Sequence, residues 1–160
     1  MKPLFSLLLL VSSLPFGLTA EEAEPTNPFQ KDKVDKAIDE GIAFVMTKQS
    51  DDGSIADRGN QTTMTSLALM AMASVGNQPV NPDKNGEAMK RALEYVLRED
   101  RQSETGYFGS RDGSRMYGHG ITTLMLSEML GMGLDEKQDQ KIRKSTQKAI
   151  DLILRSQKVP

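Results

Sequence analysis

The residues with the greatest chemical potential are the single histidine and a carboxylate that follows it. His119 stands between two glycines, at the predicted start of an apolar helix. A helix N-terminus disfavours the imidazolium, so a neutral imidazole there could accept a proton or a hydrogen bond. Glu128 is the odd residue on the apolar stripe of the same helix, where an unpaired buried charge would be costly. His119 and Glu128 are therefore the catalytic candidates; the alternatives are a packing histidine and a carboxylate that pairs with an arginine or reaches the rim.

A basic and aromatic loop leads into that helix and could form a binding site. Arg111, Arg115 and Tyr117, together with His119 and the helix end, could hold an anionic or sugar-like ligand. Such a cluster would suit a polysaccharide lyase. The alternative is a solvated turn with an internal arginine–aspartate pair, since surface pairs are common and weak.

Composition excludes several classes of site. The chain has 160 residues and no cysteine, so it has no disulfide, no thiolate nucleophile and no cysteine-based zinc site. Asp51, Asp52 and Asp57 do not have the spacing of a calcium loop and are interpreted as turn residues. We predict no metal and no cofactor. The formal net charge of −2 also argues against a nucleic acid or an anionic membrane as partner.

The N-terminus has the pattern of an export signal. Residues 1–20 combine the positive charge of Lys2, an apolar run from Leu4 to Val11 and small residues up to Ala20, as before a signal-peptide cleavage site. The run is too short to span a bilayer, so no transmembrane helix is predicted. Residues 21–33 are polar and contain two prolines, as expected for a linker. The predicted organisation is a signal peptide (1–20), a linker (21–33) and one domain (34–160), in a periplasmic or extracellular protein.

Helical periodicity covers the remaining chain, and no alternating strand pattern occurs. The predicted helices alternate between amphipathic and nearly all apolar. Because an all-apolar helix is buried on most sides, we expect the second and fourth helices at the centre, with Leu67 and Leu124 in the core. The predicted helices start at Val34, span about Thr63–Val75, Asn85–Glu99 and His119–Met132, and start again at Asp135.

A repeated turn motif links these helices. Gln49 and Gly53 recur as Gln102 and Gly106, the second copy followed by Phe108, and Gln157 begins a third copy. We expect the glutamine amide to bond carbonyls at the end of the preceding helix and the glycine to permit the chain reversal. The regular spacing, extended by a stop at Gly76 and Gly133, predicts an all-α fold of stacked antiparallel helix pairs.

The motif and the apolar helices after it resemble the repeats of squalene-hopene cyclases and protein prenyltransferase β-subunits. The resemblance implies a segment of an α/α toroid, in which inner helices line a cavity. It does not extend to the catalytic motifs of those families: the chain has no Asp-x-Asp-Asp segment and lacks the cysteine of the prenyltransferase zinc site. The chain also has only about two and a half helix pairs, so it is either an open solenoid, the front of a longer protein or part of an assembly.

Three functions therefore stay open. The first is a non-catalytic repeat module that binds a ligand or protein on its inner-helix face. The second is an isoprenoid cyclase or prenyltransferase-like enzyme, which rests on the resemblance alone because fold does not imply function. The third is a polysaccharide-acting enzyme that uses the loop and His119.

Overall fold

The computed structural model describes residues 31–111 and 113–158. The predicted signal peptide and residues 21–30 of the predicted linker lie outside this part. Within it the protein has five α-helices and no β-strand, and the helices pack against each other, which confirms the all-α prediction. The helices are α1 (Lys33–Met46), α2 (Gln61–Ser74), α3 (Lys84–Val96), α4 (Arg115–Glu128) and α5 (Glu136–Ser156).

A capping box formed by Asp32 and Asp35 fixes the start of helix α1. The Asp32 side chain accepts hydrogen bonds from the N–H groups of Val34 and Asp35, and the Asp35 carboxylate accepts from the Asp32 N–H. This reciprocal capping box satisfies donors that a helix N-terminus leaves free. The cap starts α1 one residue before the predicted boundary.

The cap of α5 is only half of a capping box. Asp135 accepts from the Gln138 N–H at 2.7 Å, as the spacing suggests. The Gln138 side chain instead accepts from the N–H of Leu134, one residue before the cap, at 2.9 Å.

Helix α4 begins four residues earlier than predicted, at Arg115, so His119 is its fifth residue. The two glycines in this stretch obscure the start, because glycine lowers helix propensity without breaking the helix.

The two central helices lie side by side and run parallel. A Cβ added at Gly118 of α4 would collide with the Thr63 hydroxyl of α2. Further along both helices, the hydroxyls of Ser66 and Thr122 are 3.1 Å apart. Because these contacts advance in the same direction along both chains, α2 and α4 have the same orientation.

Each central helix pairs with an antiparallel outer helix. The Tyr95 hydroxyl, near the end of α3, donates to Gln61 Oε1 at the start of α2, at 3.1 Å. Asn85, at the start of α3, donates to Asn77 beyond the end of α2, at 2.9 Å. Helices α3 and α2 therefore run in opposite directions.

Helices α4 and α5 make the same arrangement. Ala149, in the second half of α5, meets His119 near the start of α4. Asp139, near the start of α5, accepts from Gly133 beyond the end of α4, at 2.8 Å.

The core is narrower than predicted. Leu67 and Leu124 are 40% and 49% exposed, so the expectation that they are buried is wrong. Helix α4 packs against α2 and α5, and α2 packs against α3, α4 and a lightly attached α1, so each central helix keeps one side open. The buried contacts between α2 and α4 also include hydroxyl residues such as Ser66 and Thr122. Large side chains that are almost fully buried include Leu69, Met72, Met89, Leu93, Tyr95, Val96, Phe108, Met125, Leu126, Met129 and Ile142.

Outer helices α1 and α5 also expose apolar residues. Val34 and Ile38 of α1 are 64% and 40% exposed, and Leu154 of α5 is half exposed. Helix α1 makes few contacts with α2, and Ile42 is its only residue classed as buried. Its apolar stripe is thus largely uncovered.

The glycine that ends the fourth helix is Gly131, not Gly133. Gly76 and Gly131 both have a left-handed backbone, with φ of 86° and 79°. Gly76 follows the end of α2 by two residues and Gly131 follows the end of α4 by three, so they are 55 residues apart, close to the 53 residues between the glutamine turns. The repeat is therefore more regular than the sequence suggested.

Candidate functional site

The two glutamine turns dock on the following outer helix in the same way. Gln49 Nε2 donates to the carbonyl of Gly53 inside its own turn and to that of Ala88 in α3, at 3.2 and 2.8 Å. Gln102 Nε2 donates to the carbonyl of Gly106 and to that of Ser145 in α5, at 3.1 and 2.9 Å. The expectation that the amide bonds the end of the preceding helix is wrong. The glutamine instead fastens each repeat to the next.

The turn glycines allow this close approach. Gly53 and Gly106 have φ of 86° and 97°, which favours glycine. A Cβ at Gly53 would collide with the backbone of Arg91 in α3, and one at Gly106 with the backbone of Lys148 in α5. Each clash lies three residues after the carbonyl that the glutamine bonds, so both turns sit at one register on their helices.

His119 fastens the second turn to α4 and α5. Its side chain is fully buried. The Phe108 N–H donates to Nδ1 at 3.4 Å, and Nε2 lies 3.2 Å from the carbonyl of Ala149. This pattern requires a neutral ring with its proton on Nε2. The rings of Tyr107 and Phe108 lie 5.5 and 6.2 Å from the imidazole centroid.

Burial lowers the pKa of His119, and the hydrogen bond to the Ala149 carbonyl opposes this effect. The neutral state predicted from a helix N-terminus therefore has a different cause, which is desolvation. Both ring nitrogens face backbone groups. His119 thus has the geometry of the packing alternative rather than of a catalytic group.

The first repeat uses a threonine in the same place. The Ile55 N–H donates to Thr65 Oγ1 at 2.9 Å, as the Phe108 N–H does to His119. Thr65 is the fifth residue of α2, and His119 is the fifth residue of α4. A small hydroxyl suits the turn that carries isoleucine, and an imidazole suits the turn that carries phenylalanine.

The remaining predicted site residues do not join His119. Arg111, Arg115 and Tyr117 are exposed, Tyr117 by 86% of its surface. Arg111 Nε donates to the carbonyl of Asp100 at 3.1 Å. Since His119 is enclosed beneath this surface, the predicted four-residue binding cluster does not form.

Glu128 also departs from the catalytic prediction. It is the last residue of α4 and is exposed. Met125 of the predicted stripe is fully buried, but Glu128 itself points to solvent, so the carboxylate does not share the burial of the stripe. An exposed carboxylate there has no need of an unusual partner.

A polar cluster that the sequence analysis missed lies at the start of α2. Tyr95 is buried, and its hydroxyl accepts from Arg101 at 2.8 Å while it donates to Gln61. The guanidinium carbons of Arg98 and Arg101 lie 5.4 and 4.8 Å from the Tyr95 ring centre. Burial raises the pKa of Tyr95. Arg98 follows Tyr95 by three residues, a spacing that could have indicated their contact. Helix α3 ends at Val96, so only the folded chain brings Arg101 onto the same ring.

Acidic residues on the same side are held by local bonds. The Arg101 side chain donates to Asp100, and this bond lowers the pKa of the carboxyl. Hydrogen bonds from Ser54 lower the pKa of Asp52. Both carboxylates already have partners, which is the arrangement of a structural cluster.

An open, largely apolar groove of about 610 Å³ lies beside α1 and α2. We call it the α1–α2 groove. Phe44 at its edge is 62% exposed, and Leu67 on its wall is 40% exposed. Large apolar side chains left open together mark an interaction surface more often than a random patch. The groove is lined by Phe44, Val45, Lys48, Ile55, Ala56, Asp57, Met64, Leu67, Ala68 and Ala71.

One sequence signal could have indicated this groove. Helix α2 has no polar face, yet only α3, α4 and a lightly attached α1 contact it. A helix that is apolar all round needs cover on every side. In the structure too few helices contact α2 to cover all of its sides, and the sequence alone does not show how many helices contact it.

Metal and membrane sites find no support in the described residues. Residues 31–111 and 113–158 contain no group of three histidine, aspartate or glutamate side chains that could hold a metal ion. None of the helices in this part is long and apolar enough to cross a bilayer.

Comparisons of the chain with known protein families, curated proteins and solved structures find no match.

Proposed function

We propose that this chain is a non-catalytic helical-repeat module of the α/α-toroid kind, exported from the cytoplasm, which binds a partner in the α1–α2 groove. The observation that carries the proposal is the groove itself. It joins half-exposed Phe44 and Leu67 in one concave surface. The glutamine turns, which dock at the same register in two repeats, support the repeat architecture.

The shape and lining of the groove suit an apolar segment better than a small polar molecule. Its α2 side includes Ala68 and Ala71, and small side chains on one helix allow another helix to approach closely. Covering a large, half-exposed apolar side chain gains about 1 kcal/mol. Lys48 and Asp57 supply one charge of each sign in the lining, as expected where an amphipathic segment meets water.

The positions of the catalytic candidates support a binding role. A general acid or base must reach the proton that it transfers. His119 is enclosed with both nitrogens against backbone groups, and Glu128 is exposed at the end of α4. These positions also leave the polysaccharide-lyase alternative without the cluster on which it was based.

Export is supported by the pattern of residues 1–20, and the absence of cysteine is compatible with it. A fold without disulfides must be stabilised by packing, and the buried methionines and leucines supply that packing.

A fluorescent apolar probe tests the groove. We expect 1-anilinonaphthalene-8-sulfonate to bind the full chain at about 1 μM protein with increased fluorescence, because exposed apolar surface takes up this dye. Ala71→Glu places a charge in the groove and should weaken probe binding at least about tenfold, a loss of about 1.4 kcal/mol.

The control is Lys137→Gln on α5, which changes the net charge by the same amount at an exposed position outside the groove. Equal probe binding by wild type and Ala71→Glu would refute the assignment of the groove.

The apolar lining also favours a second candidate, an isoprenoid-binding part of a larger enzyme. Farnesol tests it in the same assay. Lys137→Gln leaves the groove unchanged and should behave as wild type does. The comparison is therefore between wild type and Ala71→Glu. Displacement of the probe by farnesol from wild type would favour the isoprenoid alternative, and no displacement would count against it. The weak probe binding of Ala71→Glu shows only that the displaced probe occupied the groove.

A further inference from the structure

We infer that the α1–α2 groove receives helix α4 of a second copy of this chain, so that copies associate head to tail. The inference rests on the proposed function of the groove as a binding surface and names its partner. It comes from the internal contact between α2 and α4: within the described residues, the equivalent receiving face of α2 and the equivalent presenting face of α4 are both left unmatched.

The two repeats can be compared residue by residue. Helices α2 and α4 each have 14 residues, and the fifth residue of each accepts the N–H of its turn. Position numbers counted from the first residue of either helix therefore refer to equivalent sites. Gln61 and Arg115 are position 1 in this count.

The internal contact joins defined positions. Thr63 at position 3 of α2 lies against Gly118 at position 4 of α4. Ser66 at position 6 of α2 contacts Thr122 at position 8 of α4. Helix α2 thus presents positions 3 and 6, and α4 receives them at positions 4 and 8.

The receiving positions of α2 line the groove. Positions 4 and 8 of α2 are Met64 and Ala68, and position 11 is Ala71. On α4, position 11 is Met125, which is fully buried. The groove is therefore the same receiving surface, one repeat earlier, with no helix of the described chain in it.

The presenting positions of α4 are open as well. Positions 3 and 6 of α4 are Tyr117 and Gly120, and both are exposed. Leu124, at position 10 on the same helix face, is exposed as well. Nothing lies within 4 Å of a Cβ built at Gly120. The surface that could enter the groove is therefore free on each molecule.

The outer helices extend both surfaces. At the groove end, α1 exposes Val34 and Ile38 as well as Phe44. On the pair that carries the open face of α4, helix α5 exposes Ile150 and Leu154. In the internal stack, outer helices meet through a glutamine turn, and Gln157 after α5 is an exposed glutamine at the corresponding interval.

Association between two different surfaces continues from one molecule to the next. Such contacts close into a ring if the rotation between copies permits and otherwise form a chain. The mean mass in solution should therefore rise with concentration beyond that of a dimer or settle at a closed ring.

Two substitutions block one surface each. Ala71→Glu charges the groove, and Gly120→Glu charges the open face of α4, where the added side chain meets no neighbouring atoms. Sedimentation equilibrium of the full chain up to about 100 μM should show self-association of wild type and of the Lys137→Gln control. Each single variant should be monomeric, with a dissociation constant raised at least about tenfold.

The mixture of the two variants gives the sharpest result. The variant with Gly120→Glu keeps an intact groove, and the variant with Ala71→Glu keeps an intact α4 face. Together they should form a one-to-one dimer that grows no further. Leu67→Glu and Leu124→Glu are a second pair for the same surfaces, at half-exposed positions, if circular dichroism shows that either of the first two misfolds.

Monomeric wild type at all concentrations would overturn the inference and leave the groove to a different partner. A dimer that Ala71→Glu abolishes, that Gly120→Glu spares and that mixing does not restore would indicate a groove-to-groove contact instead. Probe binding separates the two proposals. If wild type is monomeric but binds the dye and Ala71→Glu weakens that binding, only the self-association is refuted. If wild type is monomeric and Ala71→Glu binds the dye equally well, the assignment of the groove is refuted too.

Discussion

Replacing His119 should destabilise the fold rather than remove a reaction. The ring is fully buried between two aromatic side chains and satisfies the Phe108 N–H and the Ala149 carbonyl. His119→Ala leaves a cavity and two unmet backbone groups, which together cost about 3 kcal/mol. For a domain of this size that loss lowers the melting temperature by roughly 6–12 °C.

The same site makes stability depend on pH. His119 is neutral in the folded state because burial lowers its pKa, whereas in the unfolded chain its pKa is near the ordinary 6.5. Its contribution to stability is therefore complete above pH 6.5. It is lost as the pH falls from 6.5 toward the folded pKa, with a slope of at most about 1.4 kcal/mol per pH unit.

Two measurements check this account. Because His119 is the only histidine, its ring signals in an NMR titration are unambiguous and should not shift near pH 6.5. Urea unfolding of wild type and His119→Gln between pH 7.5 and 5 should give a difference that shrinks as the pH falls, since glutamine does not titrate. A ring that titrates at its ordinary pKa in the folded protein, or an unchanged melting temperature in His119→Ala, would refute the structural role.

Three further predictions concern the stack, each measured by urea unfolding at pH 7. Leu69→Ala should cost about 2–5 kcal/mol because Leu69 is fully buried, whereas Leu67→Ala should cost less than about 1 kcal/mol; equal losses would contradict the open side of α2. Gly106→Ala should cost more than about 2 kcal/mol of stability, because Gly106 has a left-handed backbone and a Cβ there would collide with Lys148. Gly120→Ala, where a Cβ meets no neighbour, should be neutral or stabilising by up to about 1 kcal/mol. Unchanged stability of Gly106→Ala would count against the docked turn. Gln102→Ala should cost about 1–3 kcal/mol through its two lost hydrogen bonds, and an unchanged midpoint would show that the amide does not fasten the repeats.

Much of the framework follows from local sequence. The three- and four-residue spacing of apolar residues predicted five helices, and the glutamine–glycine pattern located both turns. These features depend on backbone propensities and on neighbours a few residues away. The boundaries were less accurate, as at Arg115, because the glycines of α4 weaken the helical pattern without ending the helix.

The candidate site could not be predicted in the same way. The sequence placed His119 beside Arg111, Arg115 and Tyr117, since all four lie within one short stretch. Arg111 lies before α4, and along the helix His119 points inward whereas Tyr117 points to solvent. The partner of each glutamine was also inaccessible, because Ala88 and Ser145 lie about 40 residues further along the chain.

By itself the sequence determined the helices, their turns and the apolar character of α2 and α4. The tertiary structure decided which sides of those helices are covered. An apolar side chain favours burial, but it is buried only where a neighbouring element reaches it, and that depends on how many repeats stack and in which register. Leu69 and Leu67 are the same residue type on one helix, and only the packing of α3 and α4 separates a core position from an open surface.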